Sequence, residues 1–239
     1  MFNNIFRVIQ ITRLFIKYDV DKMLVSCGSG KCKFYFYMLP WNWFRKRRVD
    51  NIPLKIKMML EELGPIFVKL GQVISTRKDL LGDDIANELS KLQDSVKPFP
   101  KEISMRIIEE ELGSKINEVF NSFTPEPLAS ASIAQVHEAQ LKNGKDVIIK
   151  VVRPNIKNEI EKDLLLMKRI AVFLTSLSDD FKRMHLIELV NDYEMLVYDE
   201  TDLIKESSNA KKIKKNFKDS KLIYIPEIYW DYVTKSILV

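Results

Sequence analysis

Lys150 stands inside Val147-Ile148-Ile149-Lys150-Val151-Val152. A cation within an apolar strand costs free energy unless an anion or a wet cleft receives it. Two readings follow: a phosphate-holding lysine, or an edge-strand lysine turned to solvent. Upstream lies Leu128-Ala129-Ser130-Ala131-Ser132-Ile133-Ala134. Small side chains let backbone N–H groups approach a phosphate, and Ala restricts φ more than Gly does, so such a loop is stiff. A turn chosen for packing would have the same composition. A third segment is Lys69-Leu70-Gly71-Gln72. Gly inside a helix costs about 1 kcal/mol relative to Ala, which points to a close approach by another element. Lys69 and Gln72 are three apart and share a face; a solvated face gives the same pattern.

These residues need elements to hold them. Residues 2–25 read as an amphipathic helix, with Ile9, Leu14 and Phe15 among its apolar positions and Arg7, Arg13 and Lys17 among its cations. Residues 34–44 are dense in aromatics and run into Arg45-Lys46-Arg47-Arg48. Packing onto the chain's own core and docking at a membrane–water interface both suit that stretch, since burial drives both. Pro53 opens a helical stretch that runs through Leu60, Leu63 and Phe67 to Ile74. Gly82-Asp83-Asp84 marks a cap before Ile85, Leu89 and Leu92, and residues 101–112 form a helix ended by Gly113. The character changes near Pro125. Residues 133–141 and Val147–Val152 read as strands joined at Asn143-Gly144, a strong hairpin signal. Helical patterns return over 156–177 and 186–217, with strand candidates at Leu222–Ile225 and Ser236–Val239. The order makes an α+β pattern.

Composition narrows the function. Hydrophobic residues make up 46% of 239, which supports a sizeable core. The net charge of +5 is modest, and the basic excess is local, at 45–48 and at Lys211, Lys212, Lys214 and Lys215. No RNA-binding aromatic signature or zinc-finger spacing accompanies either cluster, so nucleic acid is not an expected partner. Cys27 and Cys32 are the only cysteines, too few for a metal site, and two free thiols are expected. No apolar run is long enough for a membrane span.

Taken together the motifs resemble one family. Lys69-Leu70-Gly71-Gln72 matches the KxGQ motif of the UbiB family of protein-kinase-like proteins. The Ala/Ser loop matches its Ala-rich replacement for the kinase Gly-rich loop, and Val147–Pro154 matches its nucleotide-binding lysine strand. Glu200-Thr201-Asp202 matches its ExD motif, followed by Glu206-Ser207-Ser208-Asn209-Ala210. Glu61–Pro65, Ser75–Arg77 and Leu92-Gln93-Asp94 also look like bacterial members.

The resemblance implies three segments: an amphipathic and aromatic stretch over 1–50, a helical extension with the KxGQ motif over 51–124, and a kinase-like N-lobe over 125–239. It implies nucleotide contacts from Leu128, Ala129, Ser130, Ala131, Ser132, Ile133, Ala134, Gln135, Val136 and Lys150. It implies a lid that disfavours protein phosphorylation, built from Lys69 and Gln72 and faced by Glu200 and Asp202. The carboxylate partner of Lys150 is expected to be Glu206, with Glu200 as the alternative. ATP and Mg²⁺ are the implied cofactors, and support of ubiquinone biosynthesis the implied role. No HRD-like or DFG-like segment follows the strand at Ser236–Val239. The expectation is therefore an N-lobe without a C-lobe, with no catalytic residue of its own and no activity alone. Expected partners are a separate C-lobe chain, quinone-pathway proteins and a membrane surface. The expected location is cytoplasmic, peripheral at the inner membrane. A non-catalytic remnant that binds a membrane or a partner is the alternative.

Overall fold

A computed structural model describes residues 2–19, 51–92, 96–177 and 179–239. The expected helix continuation at 20–25, Cys27, Cys32, the aromatic stretch, the cluster at 45–48 and Gln93-Asp94 lie outside the described residues. The helices are α1 Phe2–Lys17, α2 Ile52–Leu63, α3 Pro65–Ser75, α4 Lys78–Leu81, α5 Asp83–Leu89, α6 Lys101–Leu112 and α7 Ile116–Val119. They continue with α8 Ile156–Leu177, α9 Asp179–Arg183, α10 Leu186–Glu200 and α11 Leu203–Asn216. The strands are β1 Phe120–Phe123, β2 Ala129–Ser130, β3 Ala134–Leu141, β4 Asp146–Val152 and β5 Ile237–Leu238. The fold is α+β, mixing helices with an antiparallel sheet as a kinase-like N-lobe does. The chain forms two compact units, residues 1–94 with 160–194 and residues 95–159 with 195–239, and two of the three boundaries fall inside α8 and α10.

The first unit is helical. The single long helix expected from Pro53 to Ile74 is broken at Gly64-Pro65. Gly64 takes φ 109°, and Pro65 opens α3 at its first turn, where its missing N–H removes no helical bond. Met59, Leu60 and Leu63 of α2 and Ile66, Phe67 and Val68 of α3 are buried with Ala86 and Leu89 of α5. On α8, Ile160, Leu164, Met167 and Ala171 form a buried stripe at helical spacing. Helix α1 buries Ile11 and Leu14 and leaves Val8 and Ile9 exposed. Its Arg7 makes a two-pronged ion pair with the buried Asp163 and a third bond to the Leu63 carbonyl.

The second unit is built on the sheet, in order β1-β3-β4-β5 with β2 paired to β3 and every pairing antiparallel. Ile149 and Val151 of β4 pack with Ala139, Leu141, Phe120 and Ile237 beneath Ile108 of α6. The side-chain period of two sends Ile148, Lys150 and Val152 to the other face. There Ile148 is 53% exposed and Lys150 partly so, while Val152 is buried, so that face of β4 is open over part of its length. The β3–β4 hairpin turns at Asn143-Gly144, yet only Gly144 has positive φ. The Gly144 N–H closes on the Leu141 carbonyl, and Asn143 Oδ1 accepts the Lys145 N–H. That is a three-residue turn with Gly at its left-handed position. The expected strand at Leu222–Ile225 is absent: these residues form irregular chain, with Leu222 95% exposed. No strand of the sheet pairs with these residues.

Candidate functional site

Strand β4 presents Lys150 on the open face of the sheet. Its directly opposed neighbours are Val136 on β3 and Leu238 on β5, and opposed residues of an antiparallel pair share a face. Glu206, in the first turn of α11, reaches the lysine with both carboxylate oxygens, at 2.8 and 2.7 Å from Nζ. The two side chains keep 31% and 39% of their exposure. The ammonium is therefore held in place and still reachable from solvent. Of the two expected partners, Glu206 is the one that pairs with Lys150.

Asp202 sets where α11 begins. Its Oδ1 accepts the N–H groups of Ile204 and Lys205, at 3.1 and 3.3 Å, so the carboxylate serves as an N-cap. The helical pattern read over 186–217 breaks here into α10 and α11. Buried Thr201 holds the join by donating its hydroxyl to the Tyr198 carbonyl. Glu200 ends α10 and is half-buried.

The small-residue loop is a turn between β2 and β3. Ala129 pairs with Val136 and Ser130 with Gln135, and the Ala131 N–H closes on the Ala134 carbonyl at 2.8 Å. Ser132, Ile133, Ala134 and Gln135 are buried, and Leu128, Ala129, Ser130, Ala131 and Val136 keep exposure. The side-chain Oε1 of Gln135 accepts the Phe99 N–H, and its amide nitrogen donates to His137 Nε2 at 3.0 Å. A carbonyl cannot donate, so His137 carries its proton on Nδ1 toward the Thr124 carbonyl, 3.1 Å away. The ring stacks on Phe123 with centroids 5.2 Å apart, and burial pushes its pKa below the ordinary imidazole value.

Arg153 was not assigned a role from sequence, although it belongs to the lysine-strand motif. Its Nε donates to the Ala131 carbonyl at 3.0 Å. Its Nη2 donates to Ser130 Oγ at 2.8 Å and to the Lys97 carbonyl at 3.0 Å. Its backbone N–H bonds the Ile133 carbonyl, and its guanidinium lies 5.5 Å over the Phe99 ring. One side chain thus ties the small-residue turn to the end of β4. The signal in the sequence is Arg followed by Pro154, which stops the strand and leaves a fork-shaped donor at its edge.

Lys69 and Gln72 belong to the helical unit, both half-buried on α3. Gln72 donates to the Leu92 carbonyl at 3.2 Å. A Cβ on Gly71 would lie 2.4 Å from Leu92 Cδ1 and 2.8 Å from Leu60 Cδ1, so the expected close approach is present.

The arrangement suits a polyphosphate with an apolar ring: a fixed cation, flanking Val136 and Leu238, and a stiff turn of small residues close in sequence. It does not suit a metal by itself. Among the described residues no three His, Cys, Asp or Glu side chains cluster to hold an ion.

Residues 91–239 match the ABC1 atypical kinase-like domain. The chain is similar to the probable protein kinase UbiB of Pseudomonas fluorescens, at 44% identity over 98% of this chain. The probable protein kinases UbiB of Pseudomonas aeruginosa and Azotobacter vinelandii are similar at 43% and 44%, each again over 98% of this chain. In all three comparisons the chain spans 44% of the relative's length. Among solved structures, the complex of Rv3197 with erythromycin from Mycobacterium tuberculosis matches 75% of this chain and 45% of that one, at 26% identity and a TM-score of 0.45.

Proposed function

The chain belongs to the ABC1 atypical kinase-like family as a UbiB-type member, and on that premise we propose that its sheet unit supplies the phosphate-holding half of an ATP site serving ubiquinone biosynthesis. The observation that carries this reading is the Lys150–Glu206 pair, with Val136 and Leu238 beside the ammonium. A half-exposed ion pair contributes little to folding, whereas a cation fixed beside an apolar strip suits an adenine nucleotide. Lys150 holds phosphate charge, Glu206 aims the lysine, and Arg153 keeps the Ser130–Ala131 turn in one shape. When bound, ATP supplies the transferable phosphoryl group.

Mg²⁺ bound with ATP would supply charge stabilisation at the phosphates and would need carboxylates from the protein to hold it. These residues lack that set: Asp202 caps α11, and Glu206 holds Lys150. Phosphoryl transfer depends on metal-borne charge stabilisation, so residues 1–239 by themselves are expected not to turn over ATP. No described helix is long and apolar enough to cross a membrane, and the proposed location is peripheral, at the inner membrane. A non-catalytic binding module is the second reading, favoured by the exposed lysine-rich end of α11.

The test is ATP hydrolysis with Mg²⁺. The purified chain is expected to show none, and turnover is expected when the C-lobe of a UbiB relative is added, with loss on Lys150→Ala. Robust hydrolysis by the chain alone would contradict its being only half a site, and turnover that Lys150→Ala leaves unchanged would contradict the role of Lys150.

A further inference from the structure

Gln135 and His137 are fully buried, and the proposed phosphate site uses neither side chain. They stand two apart on β3, opposite Val151 and Ile149, and so share the face that carries the apolar core. A polar pair there costs free energy unless its groups find partners. The partners form one directed chain of hydrogen bonds. His137 Nδ1 donates to the Thr124 carbonyl, Gln135 Nε2 donates to His137 Nε2, and Gln135 Oε1 accepts the Phe99 N–H at 3.2 Å. The state of the imidazole therefore decides which atom of the Gln135 amide faces Phe99.

Phe99 belongs to a strap. Val96-Lys97-Pro98-Phe99-Pro100 runs as irregular chain into α6. Its prolines carry no N–H. Of the remaining N–H groups, that of Val96 donates to the Ser130 carbonyl at 3.2 Å and that of Phe99 to Gln135. The Lys97 carbonyl accepts from Arg153, whose guanidinium lies over the Phe99 ring. The strap is thus fastened to the small-residue turn at Ser130, to Arg153 and to Gln135.

A proton added to His137 breaks the direction of this chain. Nε2 becomes a donor and faces the Gln135 amide donor. Turning the amide over satisfies the ring but sets its N–H groups against the Phe99 N–H, donor against donor. The surroundings do little for the charge. Phe123 of β1 stacks on the ring, and Ile149 lies opposite on β4. Glu138 and Lys150 alternate to the other face of the sheet. The carboxylate whose field reaches the ring is Glu126, and Lys101 of α6 already holds it. At the strap, Lys97 and Arg153 add like charge.

We propose that Gln135 and His137 form a latch on the strap 96–100 that a proton releases. With His137 neutral, the strap is fastened and braces the small-residue turn. With His137 charged, the Phe99 bond opens, and strap and turn loosen locally while the sheet holds. A looser turn would hold nucleotide phosphates less firmly. That consequence rests on the phosphate role proposed above; the latch does not.

The test therefore uses the full chain without nucleotide. Amide exchange is followed by NMR from pH 7.5 to 5, with each rate corrected for its intrinsic pH dependence. Burial keeps the His137 pKa below the ordinary imidazole value, so release is expected below about pH 6.5. Protection at Phe99 and Val96 should fall about tenfold or more over this range, while the β3–β4 ladder keeps its own. His137→Gln places a carbonyl oxygen where Nε2 stood and cannot titrate, so it is expected to keep Phe99 protected at pH 5. The titration of the parent decides the matter even if that variant fails to fold. Phe99 protection that stays level across the range overturns the proposal. So does an equal loss throughout the ladder, which is global loosening, or the same loss in a folded His137→Gln chain.

Discussion

Lys150 and Glu206 meet because a strand and a helix turn present them 2.7 Å apart, with both side chains still partly in water. The lysine was visible in the sequence as a charge in an apolar run, and Glu206 was found through the motif that follows Asp202. His137 was not: a lone histidine in a strand carries no pattern, and its role appears only with Gln135, Thr124 and Phe123 around it. Its lowered pKa makes a pH prediction. The unfolded chain takes up a proton near pH 6.5 that the buried ring refuses, so the unfolded state binds more protons below that value. Stability is therefore complete above about pH 6.5 and falls as the pH drops below it, by at most about 1.4 kcal/mol per pH unit from this residue. Urea midpoints between pH 7.5 and 5 should show that slope at roughly these pH values, and His137→Asn should flatten it. An unchanged slope in the variant would remove His137 from the account.

At the scale of elements, local signals were the legible ones. Asn143-Gly144 marked the β3–β4 hairpin, although the turn uses positive φ only at Gly144. Gly113, at φ 64°, ends α6 as its position suggested. Gly64-Pro65 was equally local, yet the apolar period runs through it, and the break between α2 and α3 was missed. The strand expected at Leu222–Ile225 had the right residue types, but strand propensity mostly reports burial, and nothing pairs with these residues. Gly71 joins sequence to packing most directly. Gly71→Ala should destabilise the helical unit by about 1–2 kcal/mol. Crowding against buried Leu92 and Leu60 outweighs the gain in helix propensity. Chemical denaturation checks this, and a stabilised variant would mean those leucines move freely. For the small-residue turn, Arg153→Gln removes a charged fork. Amide exchange over residues 129–133 should rise about tenfold, with β4 unchanged. Uniform acceleration across the sheet would mean that Arg153 supports the fold rather than the turn.

At the scale of the molecule, two units alternate along the chain: each is built from two separated stretches, and α8 and α10 carry two of the three boundaries. Sequence order cannot show this, because the pairings that define the units join residues far apart, as Arg7 joins Asp163 and Tyr193 joins the Ile66 carbonyl. The α+β class and the family were legible because the motifs keep their order and spacing. The central proposal is that Lys150 sits beside the phosphates of a bound nucleotide. An acyl phosphate of ATP tests it most directly. A lysine Nζ attacks the acyl carbon, an amide forms, ATP leaves, and the label stays on the amine that lay beside the phosphate. Covalent capture accumulates even where affinity is weak. After treatment of the full chain, mass spectrometry should find Lys150 labelled above exposed lysines such as Lys211, and excess ATP should suppress that label selectively. A label at Lys150 no stronger than at Lys211 and indifferent to ATP would contradict the account.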